Sequence, residues 1–241
     1  MERAGLSKGI VLRISSEIPI AAGMGSSAAT AVAAVAAASR LLGIRVTKDD
    51  ISKAAYVAET IVHGKPSGID NTVSTYGGVI AFRKNEGFIR LKGDFKTAFL
   101  ILADSGIHRS TGSMVKKVLE LKKKYPSIME PLYHAAGRLA IEAGKAIEME
   151  DLEKLGELMN INHGLLSAIG VSNQKLEELI YRARSAGALG SKITGAGGGG
   201  FIIALCTGER VEEVKNALKD VSKRIIVTRI ENEGVRAEDL D

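Results

Sequence analysis

A run of glycines near the C-terminal end of the chain limits the fold more than any other feature of the sequence. Residues 194–200 read T-G-A-G-G-G-G, and the glycines at positions 195, 197 and 200 satisfy the pattern G-x-G-x-x-G. A dinucleotide-binding turn needs a helix after this pattern, whereas the apolar residues 201–205 predict a strand. The context therefore excludes a dinucleotide-binding fold. A purely structural turn needs only one or two glycines, so the run favours close approach of the backbone to a ligand.

A second glycine cluster, P-I-A-A-G-M-G-S-S-A-A, occupies residues 19–29 and leads into a helix predicted over residues 27–42. Gly23 and Gly25 let the backbone approach a ligand without a β-carbon in the way. Ser26 and Ser27 lie where the helix exposes unpaired N–H groups and the positive end of its dipole. The cluster indicates a phosphate site, and a capped helix after a tight turn is the alternative. It is not a Walker P-loop, because no Gly-Lys-Ser or Gly-Lys-Thr closes it.

The third cluster, residues 63–71, reads H-G-K-P-S-G-I-D-N. Residues 63–70 are predicted to form a loop shaped by Pro66 and Gly68, and residues 71–75 are predicted to begin a helical turn. Such a loop can hold Asp70 in one place, as a group that receives a proton must be held. Glu59 lies on the preceding predicted helix and is a candidate Mg²⁺ ligand, since Mg²⁺ takes few protein ligands and keeps substrate phosphates. An Asx-turn for Asp70 and a solvated helix charge for Glu59 are the alternatives.

Composition limits the class of protein and its partners. The 241 residues are 45% hydrophobic and 25% charged, which is ordinary for a globular protein. No stretch reads as a membrane span, and a cytoplasmic location is the default expectation. The lone Cys206 lies in an apolar run and predicts a buried, inert thiol. The net charge of +5 is weak evidence for nucleic-acid binding, and the lysines of residues 116–124 alternate with apolar residues as in a solvated amphipathic helix.

The pattern along the chain predicts an α+β fold with an antiparallel sheet covered on one side. A boundary near Gly93 is expected to separate a lobe of residues 1–94 from a lobe of residues 95–241. Strands are predicted at residues 10–14, 79–82, 88–91, 97–102, 201–205 and 224–230. Helices are predicted at residues 27–42, 47–62, 111–125, 131–149, 152–166, 173–186 and 209–218. Thr47 and Asp50 form a capping-box-like start to the second helix.

Together the three clusters resemble the motifs of the GHMP kinase superfamily, which includes galactokinases and homoserine, mevalonate and phosphomevalonate kinases. The phosphate motif is similar to residues 19–29, with Met24 where leucine is commoner, and the third motif is similar to K-I-T-G-A-G-G-G-G at residues 192–200. Within the superfamily, residues 63–78 (H-G-K-P-S-G-I-D-N-T-V-S-T-Y-G-G) and 161–172 (I-N-H-G-L-L-S-A-I-G-V-S) resemble the mevalonate kinase family.

The resemblance implies a two-lobed fold, with a left-handed βαβ crossover in the N-terminal lobe and a ferredoxin-like C-terminal lobe. It implies ATP-dependent phosphorylation of (R)-mevalonate to 5-phosphomevalonate, a step towards isoprenoids. Asp70 matches the aspartate proposed to accept the hydroxyl proton, and Ser27 and Glu59 match the ligands of Mg²⁺. The implied ATP-binding residues are Pro19, Ile20, Ala21, Ala22, Gly23, Met24, Gly25, Ser26, Ser27, Ala28 and Ala29. Residues implied to support the active site are Ser67, Thr111, Gly195, Ala196, Gly197 and Gly198.

The sequence departs from the family pattern at its start. The family's first motif supplies a lysine beside the aspartate and residues that bind substrate, and nothing in residues 1–9 resembles it. We therefore expect this chain to lack the segment that carries the motif. Two alternatives follow: another small-molecule kinase of the superfamily, or a non-catalytic nucleotide-binding fragment. The expected partners are ATP and mevalonate, without nucleic acid or membrane, and the resemblance also implies a homodimer.

Overall fold

The computed structural model describes residues 9–19, 24–63, 66–93, 95–108 and 110–238. Its helices are α1 (Ser26–Leu41), α2 (Lys48–His63), α3 (Ile69–Tyr76), α4 (Thr111–Lys124), α5 (Pro126–Glu148), α6 (Leu152–Ala168), α7 (Gln174–Ser185) and α8 (Val211–Lys219). Its strands are β1 (Val79–Arg83), β2 (Gly87–Leu91), β3 (Ala98–Asp104), β4 (Gly190–Ile193), β5 (Phe201–Thr207) and β6 (Arg224–Thr228). No helix in these ranges is long and apolar enough to cross a membrane.

The first lobe is built on the packing of α1 against α2. Ala28, Val32 and Ala36 recur every fourth residue and form the buried stripe of α1. Val32 and Ala36 pack against Ile51 and Ala55 of α2. The small side chains of Ala36 and Ala55 let the two helices approach closely, so residues near the start of α1 can reach side chains on α2.

The predicted capping box begins α2. The Thr47 N–H donates to Oδ2 of Asp50 over 2.9 Å, and the Asp50 N–H donates to Oγ1 of Thr47 over 3.2 Å. The two residues thereby satisfy each other's backbone donors, as a capping box requires. The hydrogen bonds from the Thr47 side chain and backbone lower the pKa of Asp50.

The second lobe contains a four-stranded antiparallel sheet in the order β4-β5-β3-β6. This order, with α7 before β4 and α8 between β5 and β6, is that of a ferredoxin-like fold, so the predicted α+β class and the C-terminal architecture are confirmed. Fully buried side chains of α7, α8 and the sheet form one core, including Leu176, Leu179, Ile202 and Leu218. Cys206 is buried in this core, and burial raises the pKa of its thiol to about 11.

The strand predicted at residues 10–14 is wrong. Residues 9–19 are neither helix nor strand, and Val11 and Ile14 are 85% and 63% exposed. A strand is stabilised by hydrogen bonds to a neighbouring strand, and the described part of the chain pairs none with this segment. The left-handed crossover likewise has no counterpart in the described ranges, where the first lobe's sheet is the antiparallel β1–β2 hairpin.

Two other element predictions need correction. Strand β4 was not predicted, because its four residues G-S-K-I include one apolar side chain and present no alternation. Helix α5 begins at Pro126 rather than at residue 131, so Pro131 lies inside it. Pro131 has no N–H to donate to the Ser127 carbonyl, four residues earlier in the helix. Both residues are exposed, so water can donate a hydrogen bond to that carbonyl instead.

The last described residues return to the first lobe. The Gly78 N–H donates to the Glu231 carbonyl over 2.8 Å, and the Val235 N–H donates to the Thr75 carbonyl over 3.1 Å. We propose that the lobe boundary lies near Gly93, with residues 229–238 packed as a strap on the first lobe.

Candidate active site

The start of α1 has the geometry predicted for an anion site. Gly25 adopts a left-handed conformation with φ of 70°, and no side chain caps the first N–H groups of the helix. Ser27 is exposed on the first turn, whereas Ala28 is fully buried and anchors it. The helix therefore presents N–H donors and its positive dipole end at the surface, as phosphate binding requires. Ile20, Ala21, Ala22 and Gly23 lie outside the described residues.

The Ser27 hydroxyl donates a hydrogen bond to Oε1 of Glu59, which joins the start of α1 to α2. Glu59 is only 6% exposed, so the alternative of a solvated helix charge is excluded. A buried carboxylate needs hydrogen bonds or a cation to offset its desolvation. The hydroxyl and the carboxylate are both hard oxygen ligands, so the pair fits Mg²⁺, which takes one or two carboxylates and completes its shell with water and phosphate.

Asp70 lies in the first turn of α3, not in a loop as the sequence pattern suggested. The helix begins at Ile69 because Gly68, with φ of 91°, reverses the chain, and the Ile69 N–H donates to the Ser67 hydroxyl over 3.3 Å. Ser67 is exposed beside this helix start.

Asp70 is next to the turn that the sequence predicts to bind phosphate. A β-carbon added at Gly25 would lie 3.3 Å from Cβ of Asp70 and 3.6 Å from its Oδ1. An added β-carbon would crowd Asp70, and the φ of 70° also favours glycine, so Gly25 eases the approach of Asp70 to the start of α1. The structure thus brings together Gly25, Ser27, Glu59 and Asp70, from the start of α1 and from α2 and α3.

A second group of predicted active-site residues lies in and near the glycine run of residues 195–200. The Gly198 N–H donates to the Val171 carbonyl over 2.7 Å, and the Gly200 N–H donates to the Ile107 carbonyl over 2.8 Å. A β-carbon at Gly197 would lie 2.4 Å from the Val171 carbonyl oxygen, and one at Gly198 would lie 2.5 Å from Sδ of Met114. These glycines therefore approach protein atoms closely.

The other predicted residues of this group lie nearby. Gly195 is exposed and Ala196 is half-buried, and ligand contact at these two positions stays a prediction. Thr111 is exposed at the start of α4, one turn before Met114, which packs against Gly198.

A chain of contacts connects the second group to the segment that enters the phosphate turn. Arg224 donates to the Glu17 carbonyl over 3.5 Å, and its position on β6 pairs with Asp104 on β3. The next residue, Ser105, donates its N–H to the Gly200 carbonyl over 2.9 Å. Glu17 lies two residues before Pro19, so these contacts link the segment that precedes the first glycine cluster to the second glycine cluster.

Sequence reasoning assigned no role to Asn71, which the structure places beside Asp70 in a buried position. Asn71 is 4% exposed, and its amide Nδ2 donates to Oγ of Ser52 over 2.9 Å. The one signal in the sequence was a polar amide directly after the candidate base. A buried amide with defined partners is a structural device that composition alone does not reveal.

Comparison with known proteins identifies the family that the sequence motifs resemble. The family model described as "GHMP kinases N terminal domain" matches residues 1–78, and "GHMP kinases C terminal" matches residues 142–224. A mevalonate kinase of Pyrococcus horikoshii is 44% identical over 100% of this chain and 72% of its own length. A mevalonate kinase of Aeropyrum pernix is 40% identical over 94% of this chain and 70% of its own length.

Solved structures of mevalonate kinases are also similar to this chain. The crystal structure of L. major mevalonate kinase in complex with R-mevalonate superimposes with a TM-score of 0.82 at 33% identity, covering 88% of this chain and 67% of that one. The structure of Methanococcus jannaschii mevalonate kinase gives a TM-score of 0.80 at 30% identity, covering 90% and 67%.

Proposed function

Because this chain belongs to the mevalonate kinase family of GHMP kinases, we propose that it transfers the γ-phosphoryl group of ATP to the primary hydroxyl of (R)-mevalonate. The products are 5-phosphomevalonate and ADP. The observation that carries the proposal is the approach of Asp70 to Gly25 at the start of α1, beside the hydrogen-bonded Ser27 and Glu59. A proton acceptor, an anion-binding helix end and a buried carboxylate thus share one site.

In the proposed reaction, the substrate hydroxyl oxygen forms a bond to the γ-phosphorus while the bond from that phosphorus to the bridging oxygen of ADP breaks. The hydroxyl proton passes to the Asp70 carboxylate and then to water. Such phosphoryl transfer depends mainly on positioning and on stabilising the charge of the phosphates. Asp70 both orients the hydroxyl and accepts its proton.

The residues around Asp70 hold the nucleotide. The first N–H groups of α1, after Gly25, donate to phosphate oxygens, and the helix dipole favours their negative charge. Ser27 and Glu59 are the proposed protein ligands of Mg²⁺. When bound, Mg²⁺ offsets the negative charge of the ATP phosphates. Because ATP is supplied in the cytoplasm, we propose that the enzyme acts there; the homodimer stays a prediction that light scattering would test.

The direct test is ADP release measured by a coupled assay with the purified 241-residue chain, MgATP and (R)-mevalonate. Turnover is expected only when mevalonate is present, and mass spectrometry should identify a monophosphorylated product. Turnover with phosphomevalonate, homoserine or galactose in place of mevalonate would reassign the substrate. Thermal stabilisation by MgATP without turnover on any of them would instead indicate a nucleotide-binding protein.

A further inference from the structure

Asn71 is a buried polar residue that the proposed chemistry does not use. Its side chain is 4% exposed and lies on α3 directly after Asp70. Its amide Nδ2 donates two hydrogen bonds to α2, one to the Ser52 hydroxyl over 2.9 Å and one to the Ser52 carbonyl over 3.2 Å. A buried amide that makes two bonds to one residue fixes both the distance and the orientation between two helices.

Contacts along the two helices show that α3 runs antiparallel to α2. Tyr76, the last residue of α3, donates its hydroxyl to Oδ1 of Asp49 in the first turn of α2. Asn71 contacts Ser52, three residues further along α2. A β-carbon at Gly68, just before α3, would lie 3.4 Å from the Tyr56 ring, one turn further again. The start of α3 therefore points towards the part of α2 that carries Glu59.

The Asn71–Ser52 contact joins the two helices that carry Asp70 and Glu59. Ser52 and Glu59 are seven residues apart on α2 and so lie on the same face of that helix, two turns apart. Asp70 is adjacent to Asn71 and lies against Gly25 of α1. One amide therefore links the helix of the candidate base to the helix of the candidate metal ligand.

We propose that Asn71 is a positioning residue that sets the place of the Asp70 carboxylate relative to Ser27 and Glu59. The proposal rests on the proposed kinase function and assigns Asn71 no contact with substrate. Asn71 acts through Ser52, so that α3 cannot rotate or slide along α2. Because a displacement of about 1 Å at a reacting group can cost roughly a hundredfold in rate, this restraint affects turnover directly.

The test compares Asn71→Ala with Asn160→Ala. Asn160 is the matched control, because its amide also bridges two elements: it donates to the Leu189 carbonyl over 3.3 Å and accepts from the Ser191 N–H over 3.0 Å. Both variants lose two hydrogen bonds, and both should unfold at a lower temperature. In Asn71→Ala, kcat should fall about 10- to 100-fold while KM for ATP stays within about threefold. In Asn160→Ala, kcat should stay within about twofold of the unmodified chain.

Ser52→Ala supplies a second measurement, which also applies if Asn71→Ala does not fold. It removes the hydroxyl acceptor and keeps the carbonyl, so kcat should fall by about threefold to tenfold. Adding Ser52→Ala to Asn71→Ala should lower kcat no further, because both changes break the same contact. An unchanged kcat in Ser52→Ala, fully additive effects, or an equal fall in Asn160→Ala would overturn the proposal.

A measurement without turnover separates this inference from the proposed function. The ¹³C resonance of the Asp70 carboxyl can be identified as the signal lost in Asp70→Asn. Its chemical shift should change in Ser52→Ala, although Ser52 is 18 residues from Asp70 in sequence. The chemical shift should not change in Asn160→Ala. A chain that fails to phosphorylate mevalonate but shows this shift refutes the function and supports the positioning role. An unmoved resonance in an active enzyme refutes the positioning role alone.

Discussion

At the scale of single residues, the carboxylate of Asp70 is the group on which the proposed chemistry depends most. It lies against Gly25 at the start of α1, whose first N–H groups are the proposed donors to phosphate. Asp70→Asn keeps the shape of the side chain and removes its capacity to take a proton. We expect kcat to fall at least 100-fold, with ATP affinity within about threefold.

The matched control for this change is Asp220→Asn, an exposed aspartate at the end of α8 in the other lobe. Steady-state kinetics should show no more than a twofold change in that variant. Turnover that survives in Asp70→Asn would mean that another group accepts the proton.

Glu59 is expected to affect the affinity for Mg²⁺ rather than the transfer of the substrate hydroxyl proton. The carboxylate is buried and receives the hydroxyl of Ser27, and Glu59→Gln removes its charge while keeping its volume. The Mg²⁺ concentration that gives half-maximal turnover should rise at least tenfold, because hard cations prefer charged oxygen ligands. Glu120→Gln, an exposed change on α4, is the control. Equal Mg²⁺ requirements in both variants would exclude Glu59 as a ligand.

At the scale of elements, a helix or strand could be predicted from sequence when the interactions that form it are between residues close together in the chain. The start of α2 was predictable, because Thr47 and Asp50 satisfy each other within four residues. The β1–β2 hairpin was predictable for the same reason. Residues 10–14 have a strand pattern but no strand partner in the described structure, and pairing is not a local property.

The same contrast between local and non-local interactions applies to the candidate site. Its residue types came from motifs, but their arrangement did not. That Asp70 lies on a helix depends on the left-handed Gly68, and that Glu59 is buried depends on the packing of α1 against α2. The glycines at 197 and 198 were expected to approach a ligand, whereas their nearest neighbours are Val171 and Met114. A sequence shows that a glycine is needed without showing what approaches it.

The contact between the ends of α2 and α3 should depend on pH at the alkaline end. Desolvation and the hydrogen bond to Asp49 raise the pKa of Tyr76 to about 12, from an ordinary value of 10. Because the folded pKa is the higher one, the stabilising contribution is complete below pH 10 and is lost as the pH rises towards 12.

Tyr76→Phe tests this element contact. Below pH 10, urea unfolding should show the variant to be less stable by about 1 kcal/mol, the usual size of a partly exposed hydrogen bond. The difference should shrink above pH 10, and titration followed by phenolate absorbance should lack one late-ionising tyrosine. Tyr181→Phe, at a residue 62% exposed, is the control and should leave stability nearly unchanged. A difference that grows with pH would contradict the assigned shift.

At the scale of the whole molecule, the proposed strap of residues 229–238 follows the last strand of the second lobe and packs on the first lobe. The backbone of Gly234 packs against the carbonyl of Thr75, with no room between them: a β-carbon at Gly234 would lie 2.2 Å from that oxygen. Thr75 is a fully buried residue near the end of α3, and the N–H of Val235 donates to the same carbonyl. The strap therefore restrains the helix that carries Asp70, although it lies far from that residue in sequence.

Gly234→Ala should force the strap and α3 apart and lower the free energy of unfolding by about 1–3 kcal/mol, the cost of overpacking. The same shift should reduce kcat, because α3 positions the candidate base. Gly137→Ala is the matched control: Gly137 lies exposed within α5 with no atom within 4 Å of an added β-carbon, and alanine there should stabilise the helix by up to about 1 kcal/mol. Hydrogen exchange should accelerate in α3 of Gly234→Ala and not in Gly137→Ala. If exchange in α3 stays unchanged while kcat falls, the strap acts on the active site by another route than through α3.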